Sequence, residues 1–262
     1  PGTASAIKAG ARGSQLALWQ ANWVKRQLAD RSPGKAIEIV VIKTRGDMVL
    51  DTPLAKIGGK GLFVKEIEEA LLNKSIDLAV HSLKDMPGRL PPGLALGAVP
   101  VRETPWDALV AEQYDSLAAL PEGARIGTSS LRRASQLRHR RPDLRIVPLR
   151  GNVDTRLDKL ARGDMEAIIL AAAGLLRMGM GNRITESLDK SIILPAVAQG
   201  ALGLEIRQDD EAAAEKLRTL DHRETRLTVT AERAFLQRLE GDCQVPIAAY
   251  AEVAGQHLTI EG

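Results

Sequence analysis

Cysteine is all but missing: Cys243 stands alone in 262 residues. A lone thiol excludes an intramolecular disulfide and fits a reducing compartment. Aromatic residues make up only 3% of the chain, too few for the stacked platforms that nucleic-acid bases rest on. No uncharged apolar run approaches the ~20 residues of a membrane span, and residues 1–12 lack the apolar stretch of a signal peptide. A cytoplasmic location without a membrane partner is therefore expected. The four histidines, His81, His139, His222 and His257, are scattered, and no Cys/His spacing resembles a metal site, so no metal is expected.

What is present points to a globular α/β protein. With 44% hydrophobic residues in 28.2 kDa, the chain can bury a sizeable core in one large or two to three small domains. Net charge is only +3, yet residues 125–162 hold ten arginines and one lysine against three aspartates. Such a patch first suggests nucleic acid. No aromatic residue falls inside it, however, so small carboxylates or phosphates suit it better.

Hydrophobic periodicity orders the chain. Ser14 reads as an N-cap, followed by a helix whose inner face would be Leu16, Trp19, Trp23 and Gln27–Leu28, with Arg12 just ahead of its N-terminus. A buried strand is expected over 36–42, then Thr44–Asp47 and a glycine-rich loop, Gly58-Gly-Lys-Gly61. That loop reads as a flexible cover, and Lys60 in it is a weak anion-cradle signal. A helix through Phe63, Val64, Ile67, Ala70 and Leu71 and a strand over 76–80 follow. The strand runs into His81-Ser-Leu-Lys-Asp-Met-Pro87, a polar cluster at a strand's C-terminal edge, where open α/β sheets bind ligands. Lys84 and Asp85 stand out there, although a solvated turn and a structural histidine are the plain alternatives.

Beyond a strand near 95–99, Val101–Pro105 reads as a crossover into a second α/β unit with strands over 124–127, 145–149 and 167–170. Two of these open into Gly127-Thr-Ser-Ser-Leu-Arg-Arg133 and Leu149-Arg-Gly-Asn-Val-Asp-Thr-Arg156. Hydroxyls and backbone N–H groups at helix starts bind anions, and arginine adds a bidentate fork. Arg132, Arg133, Arg150 and Arg156 are therefore read as binding residues, and Arg138, His139, Arg140 and Arg141 as a solvated face. Leu194–Glu205 looks like a hinge and a return strand. Two α/β lobes joined by two crossings would enclose a cleft, the layout of a hinged anion-binding fold.

The helix leading to Cys243 would begin a third unit. Leu227, Ala231, Ala234, Phe235 and Leu239 mark its expected apolar face, Gly241 its stop, and Val245 to Val253 an alternating strand. Cys243 thus sits in a tight loop. Free cysteine is commonly a small buried hydrophobe, and that reading stands beside a displayed thiol.

Seven strings in order closely resemble the hydroxymethylbilane synthase (porphobilinogen deaminase) family: Leu16–Gln20, Thr44–Asp47, Gly58–Phe63, His81–Asp85, Gly127–Arg133, Leu149–Val153 and Cys243–Ile247. The resemblance implies two hinged α/β domains like those of periplasmic binding proteins and a small third one. Their expected extents are 1–100 with 201–220, 101–200, and 221–262. It implies a monomeric enzyme of haem and chlorophyll precursor synthesis that joins four porphobilinogens head to tail with loss of ammonia, then frees hydroxymethylbilane. It also implies a dipyrromethane cofactor on a thioether at Cys243. On the same matching, Asp85 is catalytic, stabilising a cationic azafulvene-like species and moving a proton. Lys84, Ser130, Arg132, Arg133 and Arg150 hold cofactor carboxylates, Arg12, Ser14, Arg156 and Arg177 meet the incoming substrate, and Lys60 belongs to a lid.

The chain departs from the family pattern at Asp242 and Ala198, where glycine is usual, and at Trp106, where arginine is common; the family's third domain is expected to continue beyond Gly262. A non-catalytic two-lobed binder would explain the arginines but neither Asp85 nor the thiol. A nucleic-acid binder and a cysteine hydrolase fit less well, the latter because no histidine is placed beside Cys243.

Overall fold

The computed structural model describes residues 6–31, 36–48, 61–239 and 245–262; Lys60, Gly241, Asp242 and Cys243 lie outside the described residues. Two five-stranded sheets carry most of the chain. The first takes β1 (Ile7–Ala11), β2 (Ile37–Val41), β3 (Leu78–Ser82), β4 (Leu94–Ala98) and β10 (Leu202–Arg207), in the order β2-β1-β3-β10-β4. The second takes β5 (Asp107–Ala111), β6 (Arg125–Gly127), β7 (Arg145–Val147), β8 (Ala167–Ala171) and β9 (Glu186–Leu188), in the order β7-β6-β8-β5-β9.

These are the same layout twice. In each sheet four strands point one way and one runs against them, β10 in the first and β5 in the second. The reversed strand is in both cases the one that arrives from the other sheet. Residues 99–106 lead from β4 into β5, and residues 189–201 lead from β9 into β10. A strand entering through a crossing starts where the co-oriented strands end, so both kinds of terminus face the gap between the lobes.

Helices cover the sheets: α1 (Gln15–Arg31), α2 (Arg45–Met48) and α3 (Lys65–Leu72) in the first lobe, and α4 (Leu131–Arg140), α5 (Val153–Ala161) and α6 (Ala172–Arg177) in the second. Helix α7 (Glu211–Leu217) returns to the first. Ser14 begins α1 as expected, its Oγ accepting from the Ala17 N–H at 3.3 Å. The inner face of α1 keeps the expected Leu28 but is otherwise Gln20, Ala21 and Val24, with both tryptophans only half covered. Trp23 still packs against the edge of the core cluster. In the second lobe Leu109, Ile126, Ile169 and Leu188 are wholly buried, each worth about 1.5–3 kcal/mol by transfer from water.

The third unit is α8 (Arg223–Arg238) packed on the hairpin of β11 (Tyr250–Ala254) and β12 (His257–Glu261). Its helix corrects the expected face. Leu227 and Leu239 are exposed, and the buried side is Thr225, Thr228, Val229, Glu232, Arg233 and Leu236. A charged residue can turn inward because its partners are there. The fully buried Glu232 accepts through Oε1 from Arg102 at 2.7 Å and the Ala251 N–H at 2.9 Å. Through Oε2 it accepts from Arg102 at 3.1 Å and the Ala198 N–H at 2.6 Å. The helix is thus tied to both crossings and to the hairpin. Trp106 adds a ring contact to Tyr250, centroids 4.9 Å apart.

At the hinge itself, the Glu103 N–H donates to the Gly200 carbonyl at 3.1 Å. A Cβ at Gly200, whose φ is +87°, would fall 2.4 Å from the Glu103 oxygen, so only glycine lets the two crossings touch. Ala198 has φ +58°, a left-handed conformation that an alanine holds at a cost of about 1 kcal/mol.

Candidate functional site

Strand β3 ends in a single 3₁₀ turn, Leu83–Asp85. Leu83 and Met86 are buried on either side of Lys84 and Asp85, and the Leu83 N–H donates to the Ala201 carbonyl at 3.0 Å. The two charged residues are thereby held at the strand's end rather than left on a loose solvated turn. Asp85 shares one cavity with Arg12, Ser14, Gln20, His81 and Ser82, closed on one side by Phe63 and Val64. The Gln20 amide donates to Ser82 Oγ at 3.0 Å. His81 is tied into the fold: its Nε2 lies 3.0 Å from Glu205, both side chains buried.

Arg12 reaches the cavity with its charge already partnered. Its Nε donates to Asp47 Oδ1 at 3.1 Å and its guanidinium lies over the Phe63 ring at 4.2 Å. Burial tends to raise the Asp47 carboxyl, but Arg12 and Thr44 outweigh it and hold it below its usual range. Gly46 makes room for the ring, since a Cβ there would lie 2.2 Å from Phe63. The Thr44–Asp47 string is thus a bracket for Arg12.

Across the gap, β6 runs into Thr128–Ser130 and α4. Ser130 caps the helix by accepting from the Arg133 N–H at 3.4 Å. Arg132 and Arg133 point inward, both nearly buried, and converge on Asp107 at the start of β5. Arg133 donates through Nε at 3.0 Å and a terminal nitrogen at 2.6 Å to Asp107 Oδ1, while Arg132 donates to Oδ2 at 2.8 Å. Burial alone would raise Asp107; the two guanidiniums override it and keep the carboxyl well below the usual range. Arg132 is also tied to the Leu194 carbonyl at 2.7 Å, and Arg133 to that of Ile169 at 3.1 Å.

Arg156 begins in α5, its Nε donating to the Gly151 carbonyl at 2.8 Å. Its guanidinium is pushed down to about 10, by burial first, then by the like charges of Arg133 and Arg150, with Asp85 opposing. The Lys84 ammonium is pushed down to about 8, by burial first; Asp85 and Asp107 oppose the shift, and Arg133 and Arg132 add to it. These couplings bring Lys84 and Asp85 of one lobe together with Arg132, Arg133, Arg150 and Arg156 of the other. Five cations meet two carboxylates, Asp85 and Asp107. Like charges that depress one another fit a ligand carrying several carboxylates, and the donor set suits the dipyrromethane group implied by the sequence strings.

Arg177 is nearly buried at the hinge, where it donates to the Gly200 carbonyl at 2.7 Å and faces Glu103. Of the face read as solvated, Arg138, His139 and Arg140 are exposed. Arg141 turns back, bonding Asp143 and the Leu117 and Leu120 carbonyls, because α4 ends there and the preceding loop needs donors.

Sequence reading passed over Asp107, Gln199, Gln20 and Glu232. Asp107 had a signal, a carboxylate opening the apolar run Ala108–Val110, and Glu232 another, a charge at helical spacing from Thr225, Thr228 and Leu236. Gln20 and Gln199 had only their places in the Leu16–Gln20 string and the Leu194–Glu205 hinge stretch.

Comparison with known proteins fits this geometry. Residues 7–215 match the family model "Porphobilinogen deaminase, dipyromethane cofactor binding domain", and residues 226–262 match "Porphobilinogen deaminase, C-terminal domain". The porphobilinogen deaminase of Syntrophotalea carbinolica is 58% identical over 260 residues, 99% of this chain and 82% of that one. Among solved structures, the methionine-binding protein MetQ aligns with a TM-score of 0.53 at 14% identity, over 90% of this chain and 95% of that one. A periplasmic substrate-binding protein of an ABC transporter from Coxiella burnetii aligns at 0.50 and 16%, over 92% and 100%. These two speak for the hinged two-lobed fold alone. By the family models and the sequence relative together, the chain belongs to the porphobilinogen deaminase (hydroxymethylbilane synthase) family.

Proposed function

We propose that the chain joins four porphobilinogens head to tail and releases hydroxymethylbilane, with Asp85 as catalytic carboxylate and Cys243 as the anchor of a dipyrromethane primer. Family membership makes it a transferase of tetrapyrrole synthesis that acts on porphobilinogen and uses that cofactor. The catalytic assignment is supported by one observation: Asp85 acts on a buried cation from each lobe, Lys84 and Arg156, beside the arginines gathered on Asp107.

When bound, the cofactor supplies the nucleophilic pyrrole to which the first substrate unit is joined. The chain's own residues do the rest. Lys84, Ser130, Arg132, Arg133 and Arg150 hold cofactor carboxylates. Arg12, Ser14, Arg156 and Arg177 receive those of the incoming porphobilinogen, and Lys60 belongs to a cover over the site. Asp107, by gripping one edge of Arg132 and Arg133, fixes the direction in which they can offer anything to a ligand. As the substrate's C–N bond breaks, ammonia leaves with the bonding electrons and a cation remains. Asp85 stabilises that cation, then accepts the proton released once the new carbon–carbon bond has formed.

The division into 1–100 with 201–220, 101–200 and 221–262 belongs to the same reading and is supported by the membership of the two sheets. So do a cytoplasmic location, which a single cysteine favours, and a monomeric state. Intact mass tests the core. Freshly prepared protein should carry a covalent excess of two porphobilinogens less their ammonia, lost in Cys243→Ser; an unmodified mass would overturn the assignment and favour a two-lobed binding protein. Asp85→Asn should keep the excess while turnover falls about 10²–10⁴-fold, and normal product formation would remove Asp85 from its role.

A further inference from the structure

Gln199 lies in the second crossing and is wholly buried, yet it belongs to neither lobe's sheet. Its Nε2 donates to Asp107 Oδ1 at 3.0 Å and to the Pro105 carbonyl at 2.7 Å, and its Oε1 accepts from Lys84 Nζ at 3.4 Å. The backbone aims it. Ala198 and Gly200, on either side, both have positive φ, and the Gln199 carbonyl is held by Arg102 Nε at 2.8 Å.

We infer that Gln199 is a positioning residue that fixes Lys84 of the first lobe against the Asp107–Arg132–Arg133 group of the second, so that both offer their charges to the cofactor at one spacing. The inference rests on the assignment of Lys84 to the cofactor. A carboxamide suits this place because it donates at one end and accepts at the other without adding charge. Glutamate would set a second carboxylate against Asp107 and lose the donor. Lysine or arginine would repel Lys84. The amide has one sensible orientation, since reversing it would turn N–H groups toward an ammonium and an oxygen toward a carboxylate.

An accepting oxygen 3.4 Å from the Lys84 ammonium should also favour its charged form. The charged groups that act on its ammonium are Asp85 on its own turn, Asp107 on β5, and Arg132 and Arg133 on α4. Burial disfavours the charged form first, and the two arginines add to it. Removing the Gln199 oxygen leaves Lys84 with less support, so it should lose its proton at lower pH.

The test uses the full chain, prepared without cofactor and loaded with porphobilinogen, with loading followed by intact mass across pH. Gln199→Leu is expected to slow loading at neutral pH about 10-fold and to move the alkaline limb of the loading rate down by about one pH unit. Lys84→Met should be slow at every pH, and the double variant no slower than Lys84→Met, because both changes break one interaction. A purely structural role for Gln199 would slow loading equally at all pH values and add to Lys84→Met; either result overturns the inference. Gln199→Asn, whose amide is one methylene short, carries the same test if Gln199→Leu does not fold. If Lys84→Met loads like the unaltered chain, the cofactor assignment itself fails. If Lys84→Met is impaired but the Gln199 variants are not, only the role of Gln199 fails.

Discussion

In the second lobe the reversed strand carries Asp107, fully buried and held by two arginines from the helix after β6. In the first lobe the reversed strand carries Glu205, equally buried, beside His81 from β3. Glu68 of α3 lies close enough for the two acids to repel. One layout thus buries a surplus of positive charge in one lobe, while the other packs two carboxyl groups together, with Arg233 acting on Glu205 from the third unit. Topology decides which strand ends reach the gap. The choice of buried ion differs between them: paired arginines surround the acid of the second lobe, and a histidine and a second acid stand near that of the first.

The largest break in this contrast should come from Asp107→Asn. It leaves two nearly buried guanidiniums without their carboxylate and should lower stability by about 3–5 kcal/mol in urea unfolding. A loss below about 1 kcal/mol would mean that the arginines do not depend on it.

Glu68→Gln probes the paired acids of the first lobe and should have the opposite sign. The Glu68 carboxyl is pushed up to about 7 from 4.5, by burial first, then by Glu205 and Glu69. The folded chain therefore holds this proton more firmly than the unfolded one. Its contribution is fully favourable below pH 4.5 and is lost as pH rises through about 7. Glutamine, always neutral, should match glutamate in acid and gain about 1–3 kcal/mol above pH 7, after discounting for partial solvation. A difference that stays flat from pH 4 to 8 would show that the first lobe does not bury a reluctant acid.

The smallest change concerns the joint between the lobes. Ala198→Gly removes the left-handed alanine and should raise stability by up to about 1 kcal/mol in thermal unfolding. A clear loss of stability would mean that the Ala198 methyl is needed for packing.

Much of this was legible beforehand. Apolar runs such as Ile76–Val80 and Ala167–Leu170 located strands to within a few residues, because alternation and continuous burial are local properties. The paired loops after β6 and β7 were readable too, since glycine, hydroxyls and arginines sit side by side in sequence. The face of α8 was not. Periodicity assigns apolar residues to the inside, and there Glu232 and Arg233 turned inward while Leu227 and Leu239 stayed out. What makes Glu232 burial tolerable is a set of donors from residues 102, 198 and 251, none of them near it in sequence. Asp107 was hidden likewise, its arginines lying 25 and 26 positions away. Buried ions are long-range features, and a single sequence shows only one half of each pair.

Glu232 also bears on how the molecule comes apart. Its four hydrogen bonds join both crossings to the hairpin. Peeling away the hairpin would leave a bare carboxylate inside the protein, and parting the crossings would do the same from the other side. Chains built of several units commonly melt one unit at a time. Here a seam between units runs through a charge that none of them can expose alone, which favours the three losing their structure in one concerted step.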